Sequence, residues 1–434
     1  EEKFHATVFK GYEGTETESN LLGLLDAKGN IVEFLPAASA GYAILDITPF
    51  YAESGGQTGD VGQLLSGETE LAVVSGTWKP VTKIYFHQLK TIAAMKTGMK
   101  VRARVSALRY HTACNHTAVH VVNSALKKVF GESTRQAGSE VDPYRFRFDY
   151  TITRTPPKGE MAEVEKIAND AISRNFGVFK MERPLKDAGE FGATTLLGEK
   201  YQDPARFVLI NSGGWDSAED RYSLELCGGT HIDSLGELVV VKILKDSSVS
   251  RGVRRIEGVA GPAAVAHLAK LAGFAEAAAS KLSIPPQDLP ARVDQLLENI
   301  KELKACKTKA ATAVSLKEGR KLLVEGIDGS GSGFLVYDAG ALGMKDLRGL
   351  SDEIKKDMKS TLLFIYSRAE GKFSFIITHT GDVRVDASAV AKSVADVISG
   401  SGGGRRDFAQ GGGEIPADLP AFEKSLVELA KKHI

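Results

Sequence analysis

Short runs of alternating apolar and polar residues, Ala/Leu-rich stretches with helical period, and two distant pairs of metal-binding residues predict a multidomain protein of mixed α+β and α/β class. The expected order is a small β-barrel (1–100), an α/β domain holding a metal (101–261), a helical spacer (262–321) and a C-terminal α/β domain (322–434).

A chain of 434 residues suggests several domains, and 43% hydrophobic residues can fill real cores. Fifty-five basic residues balance 55 acidic ones, so any nucleic-acid surface must be a local basic patch. Three scattered cysteines argue against a disulfide framework and for a reducing, cytoplasmic setting. No apolar run approaches the roughly 20 residues that span a bilayer, so no membrane partner is expected. The opening Glu1-Glu2-Lys3 is no signal peptide, and the missing initiator Met suggests part of a longer polypeptide.

Residues 4–100 read as short strands at Phe4–Phe9, Ile31–Leu35, Gly41–Ile47, Glu70–Ser75 and Val81–Gln88, separated by turns such as Lys28-Gly29-Asn30. Between two of them lies Tyr51-Ala52-Glu53-Ser54-Gly55-Gly56-Gln57, either a plain loop or a place where bare backbone approaches a ligand. The stretch 116–129 has helical period and stops at Gly131, and Phe146–Tyr150 alternates as a strand. Thr155-Pro156-Pro157 opens a helix whose stripe runs from Met161 to Ile172. Strands follow at Phe207–Asn211, Ser223–Leu226 and Leu238–Leu244.

From Ala263 to Lys321 two helices flank Ile284-Pro285-Pro286-Gln287, with Val293, Leu296, Leu297, Ile300 and Leu303 expected as a buried seam. Strands at Leu322–Ile327, Gly333–Tyr337, Ser360–Tyr366 and Phe373–Thr378, with helices at 387–399 and 420–433, complete the last unit. The tract Gly402–Gly413 reads as a linker or, because it carries Arg405, Arg406 and Gln410, as an anion-binding loop.

The chemistry concentrates in Asn115-His116-Thr117-Ala118-Val119-His120 and Cys227-Gly228-Gly229-Thr230-His231. On a helix, His116 and His120 lie one turn apart on one face. Cys227 and His231 have the same spacing, and Gly228-Gly229 lets backbone fold closely around them. Either pair alone is as readily a polar face. Together they take three of nine histidines and one of three cysteines, a donor set that suits tetrahedral Zn2+.

At these residues the chain resembles the editing domain of alanyl-tRNA synthetases and of freestanding proteins that deacylate misacylated tRNA(Ala). The resemblance continues in order through Ser54–Gly62, Gln136-Ala137-Gly138-Ser139, Leu197-Gly198-Glu199-Lys200-Tyr201, Gly252–Glu257 and Gly402–Gly413. It implies a zinc-containing editing domain, a C-terminal domain of phosphoesterase-like type that binds tRNA and dimerises, and tRNA(Ala) as partner. The implied reaction is ester hydrolysis of mischarged Ser-tRNA(Ala) and Gly-tRNA(Ala).

It further implies that Thr117 and Gln136 face the reacting ester, that Gly55, Gly56, Gln57, Gly228 and Gly229 border the substrate, and that Arg405, Arg406 and Gln410 touch tRNA. Zinc would activate water or, as is favoured here, orient the substrate's amino group. Nothing resembles the preceding ATP- and alanine-binding domain, so the chain alone should not charge tRNA. The other readings are a freestanding editing protein, a non-catalytic zinc module that binds tRNA, and a phosphoesterase. The last is weakened because residues 322–434 hold His379 but no Asp/His cluster.

Overall fold

The structure, a computed structural model, describes residues 4–433 apart from 82, 155, 158, 197–200, 217–220, 319, 326–332 and 382, with backbone alone over 307–325. The motif Leu197–Lys200 and the end of the strand expected to reach Ile327 lie outside the described residues. The chain divides into two compact units, Glu1–Ala277 and Ala278–Ile434.

The first unit opens with six antiparallel strands that close on themselves in the order Glu16–Asp26, Ala40–Leu45, Ile84–Thr91, Thr69–Val81, Gly62–Ser66 and Lys100–Val105. Leu24, Ala43, Leu64, Val74, Leu89 and Val101 fill the barrel. Three of the strands, Glu16–Asp26, Gly62–Ser66 and Lys100–Val105, are absent from the sequence expectation, and Phe4–Phe9 shrinks to Val8–Phe9. In Glu16–Asp26 and Lys100–Val105 charged outward positions mimic loop, while Gly62–Ser66 is short and opens on glycine. Arg104 lies opposite Glu16 in register and pairs with it at 3.1 Å.

Beyond the barrel runs a helix, Leu108–Phe130, ended by Gly131 at φ 95°. It is buried on every side between Thr112 and Leu126, because three structures pack around it. They are a four-stranded antiparallel sheet (Gln136–Val141, Phe146–Thr151, Val253–Ala260, Val241–Ser250), a strand of the antiparallel sheet Gly177–Arg183, Ala205–Asn211 and Arg221–Leu226, and the helix Glu160–Ser173. Full burial explains its composition: Ala118, Ala125 and Ser124 allow close approach, while Asn115 and Asn123 find partners in Ala260, Asp142 and Glu225.

A buried ion pair ties the barrel to this helix. Arg109 pairs with Asp60 and donates to the carbonyls of Gly11 and Pro49, with only 7% and 4% of the Arg109 and Asp60 side chains exposed. Asp60 also accepts from the Tyr51 N–H at 2.6 Å, so both ends of the Gly55-Gly56 loop are pinned. The loop itself joins the four-stranded sheet through Val141 N–H to Gly56 O (2.7 Å) and Thr58 N–H to Val141 O (3.0 Å).

Helices Gly261–Leu282 and Leu289–Glu318 flank the expected proline break. The expected buried seam is not found: Val293, Leu297, Ile300 and Leu303 are 45%, 60%, 46% and 69% exposed. Their period is right for a seam, but no described element covers that face.

The second unit is a six-stranded sheet ordered Arg320–Glu325, Gly333–Asp338, Thr361–Ala369, Lys372–His379, Phe408–Gly413 and Ser401–Gly404. Gly333–Asp338 and Thr361–Ala369 run parallel through the crossover helix Met344–Lys356, which packs on one face. Helices Ala387–Val397 and Leu419–Lys431 cover the other.

The tract Gly402–Gly413 is no linker: it forms two antiparallel strands around Arg405-Arg406-Asp407. Glycine is needed there for close packing. A Cβ on Gly402 would stand 2.6 Å from Ala391 O of the covering helix and 3.1 Å from Phe375. None of the described helices is long and apolar enough to cross a membrane.

Candidate metal centre

His116 and His120 project from one face of the buried helix, with ring centroids 5.4 Å apart. The strand Arg221–Leu226 delivers Cys227 at its end, and the turn after it returns His231 to the same spot. Ligand atoms of the four side chains all lie within 4.8 Å of one another, the one such grouping of His, Cys, Asp and Glu among the described residues. Cys227 Sγ is 3.3 Å from Nε2 of both His116 and His231. Tetrahedral bonds of about 2.0–2.3 Å place neighbouring ligand atoms roughly 3.3–3.6 Å apart. The closest pairs therefore already stand at bonding geometry, and the widest must contract by about 1 Å.

Each imidazole turns Nε2 inward because its Nδ1 is held from outside. His116 Nδ1 donates to Gln57 Oε1 at 2.8 Å, and the orientation of that amide is set by Thr230, whose N–H donates to Oε1 (2.8 Å) and whose hydroxyl accepts from Nε2 (2.9 Å). His231 Nδ1 contacts Thr117 Oγ1 at 3.1 Å. His120 Nδ1 lies 2.9 Å from Glu225 Oε2, and Asn123 and Ser223 donate to the other oxygen of that carboxylate. Nε2 of His120 is buried and has no hydrogen-bond partner, as expected of an atom kept for an ion.

Burial raises the Cys227 thiol, but the rings of His116 and His231 and hydrogen bonds from the neighbouring histidines outweigh it and hold the group well below its usual range. A thiolate is the ligating form. Burial opposes charge on His120, yet Glu225 and Cys227 push it up to about 10. Burial also raises Glu225, and His120 more than reverses that shift. On these geometric and electrostatic grounds the residues fit a cation held by nitrogen and sulfur.

The loop between Cys227 and His231 is shaped by its glycines. A Cβ on Gly229 would collide with the His116 ring and Gln57 Oε1. Arg206 donates to the carbonyls of Cys227 (3.1 Å) and Gly229 (2.7 Å), while its guanidinium lies 4.1 Å from the centroid of the Tyr12 ring. Tyr12 reaches from the barrel to donate to Gly228 O. A cleft of about 520 Å³ opens beside the loop, lined by Tyr12, Lys180, Arg206, Thr230 and His231 among others.

The remaining expected residues fall in several places. Gly55 makes an open turn at φ 58°, and Gly56, at φ 79°, packs against Ser139. Gln136 donates to Ser139 Oγ at 3.0 Å at the head of the adjoining strand, and Thr117 is wholly buried beneath His231. In the other unit, Arg405 and Arg406 are 80% and 82% exposed, beside Asp407 and Asp386, and Gln410 accepts from Arg348 at 2.9 Å. Sequence reasoning missed Glu225 and Arg206. Glu225 had a signal: in Ser223-Leu224-Glu225-Leu226-Cys227 the strand period puts an acid on the same face as the cysteine.

Comparison with known proteins matches three families along the chain. Residues 1–109 match the tRNA synthetases class II (A) family, residues 206–257 the threonyl and alanyl tRNA synthetase second additional domain, and residues 331–432 the DHHA1 domain. The class II match falls on the barrel, where the residues by themselves suggested no synthetase likeness beyond the glycine loop. Similar curated proteins include an alanine–tRNA ligase of Elusimicrobium minutum, 39% identical over 97% of this chain and 48% of its own length, and one of Mesorhizobium japonicum, 37% identical over 99% and 49%.

A solved structure, the C-Ala domain of Aquifex aeolicus alanyl-tRNA synthetase, is 33% identical over 23% of this chain and 92% of its own, with TM-score 0.21. The chain spans about half the length of the curated relatives it matches. With relatives of this kind aligned along 95–99% of its residues and the second additional domain falling on the strand and loop that carry Cys227 and His231, the chain belongs to the alanyl-tRNA synthetase family.

Proposed function

We propose that the first unit hydrolyses the ester of tRNA(Ala) mischarged with serine or glycine. The observation that carries this reading is the convergence of His116, His120, Cys227 and His231 beside a cleft rimmed by Lys180 and Arg206. Zinc suits the three-nitrogen, one-sulfur donor set and would supply a fixed positive centre held by His116, His120, Cys227 and His231, the last of which lines the cleft. Gln57, Thr117 and Glu225 set the tautomer and direction of the three imidazoles. Arg206 and Tyr12 hold the Cys227–His231 turn against the barrel, and Arg206 offers positive charge to the ribose-phosphate end of the substrate, while Lys180 on the same cleft is paired with Asp233.

Such a site answers a physical limit on the charging reaction. A pocket for alanine separates ligands differing by one methylene by only about 1–3 kcal/mol, and an added hydroxyl is rejected poorly. A second site must remove what the first admits. Binding of the tRNA body falls to the second unit in this reading, through Arg405, Arg406 and the hairpin that carries Gln410. The uncovered apolar face formed by Val293, Leu297, Ile300 and Leu303 supports a homodimer through that unit.

The test is deacylation of purified Ser-tRNA(Ala), Gly-tRNA(Ala) and Ala-tRNA(Ala) without ATP. Hydrolysis of the first two with the third spared is expected. Equal rates on all three, or none on any, would overturn the reading, and the second result would leave a zinc-stabilised module that binds tRNA without chemistry.

A further inference from the structure

The barrel carries an aromatic face that the proposed reaction does not use. Trp78 lies opposite Phe86 in register on neighbouring strands, and Phe86 meets Tyr42 of the next strand edge to face at 6.4 Å. The intervening side chains Thr77, His87 and Ala43 point into the barrel and are wholly buried, so the three rings share its outer surface. Trp78 remains 36% exposed. Its indole edge occupies the space that a side chain at position 76 would fill, since a Cβ on Gly76 would come within 2.5–3.1 Å of three ring atoms. The glycine thus lets the indole lie back along its own strand.

A cavity of about 700 Å³ opens over these rings, with Lys28, Lys79 and Glu53 on its rim. Among the described residues neither lysine is seen in a salt bridge, and the Lys79 ammonium lies 5.7 Å from the centroid of the Tyr85 ring. Aromatic faces beside ammonium groups that no carboxylate neutralises fit a ligand that alternates flat π-surfaces with negative charge. An apolar protein partner would leave both lysines desolvated and unpaired.

We infer that this face is a stacking site for unpaired nucleotides of RNA. A base lies on Trp78, and the flanking phosphates meet Lys28 and Lys79. The inference extends the proposed function, whose substrate is an RNA with an unpaired 3′ end. The two sites share a loop: Glu53 is on the cavity rim and Gln57 orients His116, and four residues of chain span at most about 14 Å.

The test uses the full chain with Trp215→Phe, which leaves Trp78 as its one tryptophan. Titration with an unstructured cytidine octaribonucleotide should quench Trp78 fluorescence, with an apparent affinity that falls as salt rises. In the otherwise unaltered chain, Trp78→Ala should weaken binding of a labelled octamer roughly tenfold, whereas Trp78→Phe keeps most of it. Lys28→Ala with Lys79→Ala should flatten the salt dependence. No quenching in the Trp215→Phe protein, or unchanged octamer affinity in Trp78→Ala, overturns the inference. Loss of quenching with deacylation intact counts against this site alone, and quenching without deacylation counts against the proposed reaction alone.

Discussion

Glu225 Oε2 lies 2.9 Å from Nδ1 of His120, and both side chains are 7% exposed. A carboxylate behind a ligating imidazole fixes its tautomer and raises its basicity, and loss of such a partner typically weakens a metal 10–100-fold. Glu225→Gln should therefore keep the fold and about one zinc per chain, but release it to a chelator at a concentration 10–100-fold lower than wild type requires. His120→Ala and Cys227→Ala, which remove ligands themselves, should lose the metal on elemental analysis. Full zinc in both would exclude the site.

The Arg109–Asp60 pair should behave as a buried ion pair that joins barrel to helix. Asp60→Ala alone leaves a guanidinium uncompensated and should cost about 3–5 kcal/mol in denaturant unfolding. Adding Arg109→Met should cost less than the sum of the two single changes, because the stranded charge is gone. Strict additivity would mean that the two residues act independently.

His87 gives the barrel an acid sensitivity. Its Nδ1 donates to Ala43 O at 3.0 Å and its Nε2 accepts from the Thr48 hydroxyl at 2.7 Å, and burial pushes its pKa down to about 4. The unfolded chain, with an ordinary value of about 6.5, takes up a proton first, so this stability is full above pH 6.5 and is lost as pH falls towards 4. Between pH 7 and pH 4.5, wild type should lose about 2–3 kcal/mol more than His87→Gln. Parallel losses in the two proteins would assign the acid sensitivity elsewhere.

Arg405 and Arg406 stand clear of the fold, and exposed pairs like theirs with Asp407 and Asp386 contribute about 0–1 kcal/mol. Replacing both with Ala should leave unfolding nearly unchanged while weakening whole tRNA(Ala) and lowering its salt slope by roughly 0.7–0.9 per lost phosphate contact. Deacylation of an acceptor-stem minihelix should stay at the wild-type rate. Equal loss on both substrates would mean the hairpin supports the active unit and not the tRNA body.

The four side chains that converge were legible as candidates because each pair kept a spacing of four, a pattern that survives without knowledge of the fold. Their supports were legible only in part: Gln57 and Thr117 were expected at the substrate and Glu225 was missed, since the three come together with the histidines only when the barrel loop, the helix and the strand meet. In the barrel, Lys100-Val101-Arg102-Ala103-Arg104-Val105 alternates cleanly, but its charged face resembles a loop until Glu16 is placed opposite. The glycines of 402–413 misled for a different reason. Composition shows the freedom of a glycine, whereas packing uses the absence of its side chain.

His116 and Cys227, which nearly touch, stand 111 residues apart in the chain. A small zinc finger gathers its ligands from one short segment, so its ion can nucleate the fold. An ion at this group would have nothing to grip until the barrel loop, the enclosed helix and a distant strand have found one another, at the entropic cost of closing that long segment. For such an ion the order of events would be inverted: the socket would come first, and metal occupancy would read out whether three remote stretches of chain have assembled correctly.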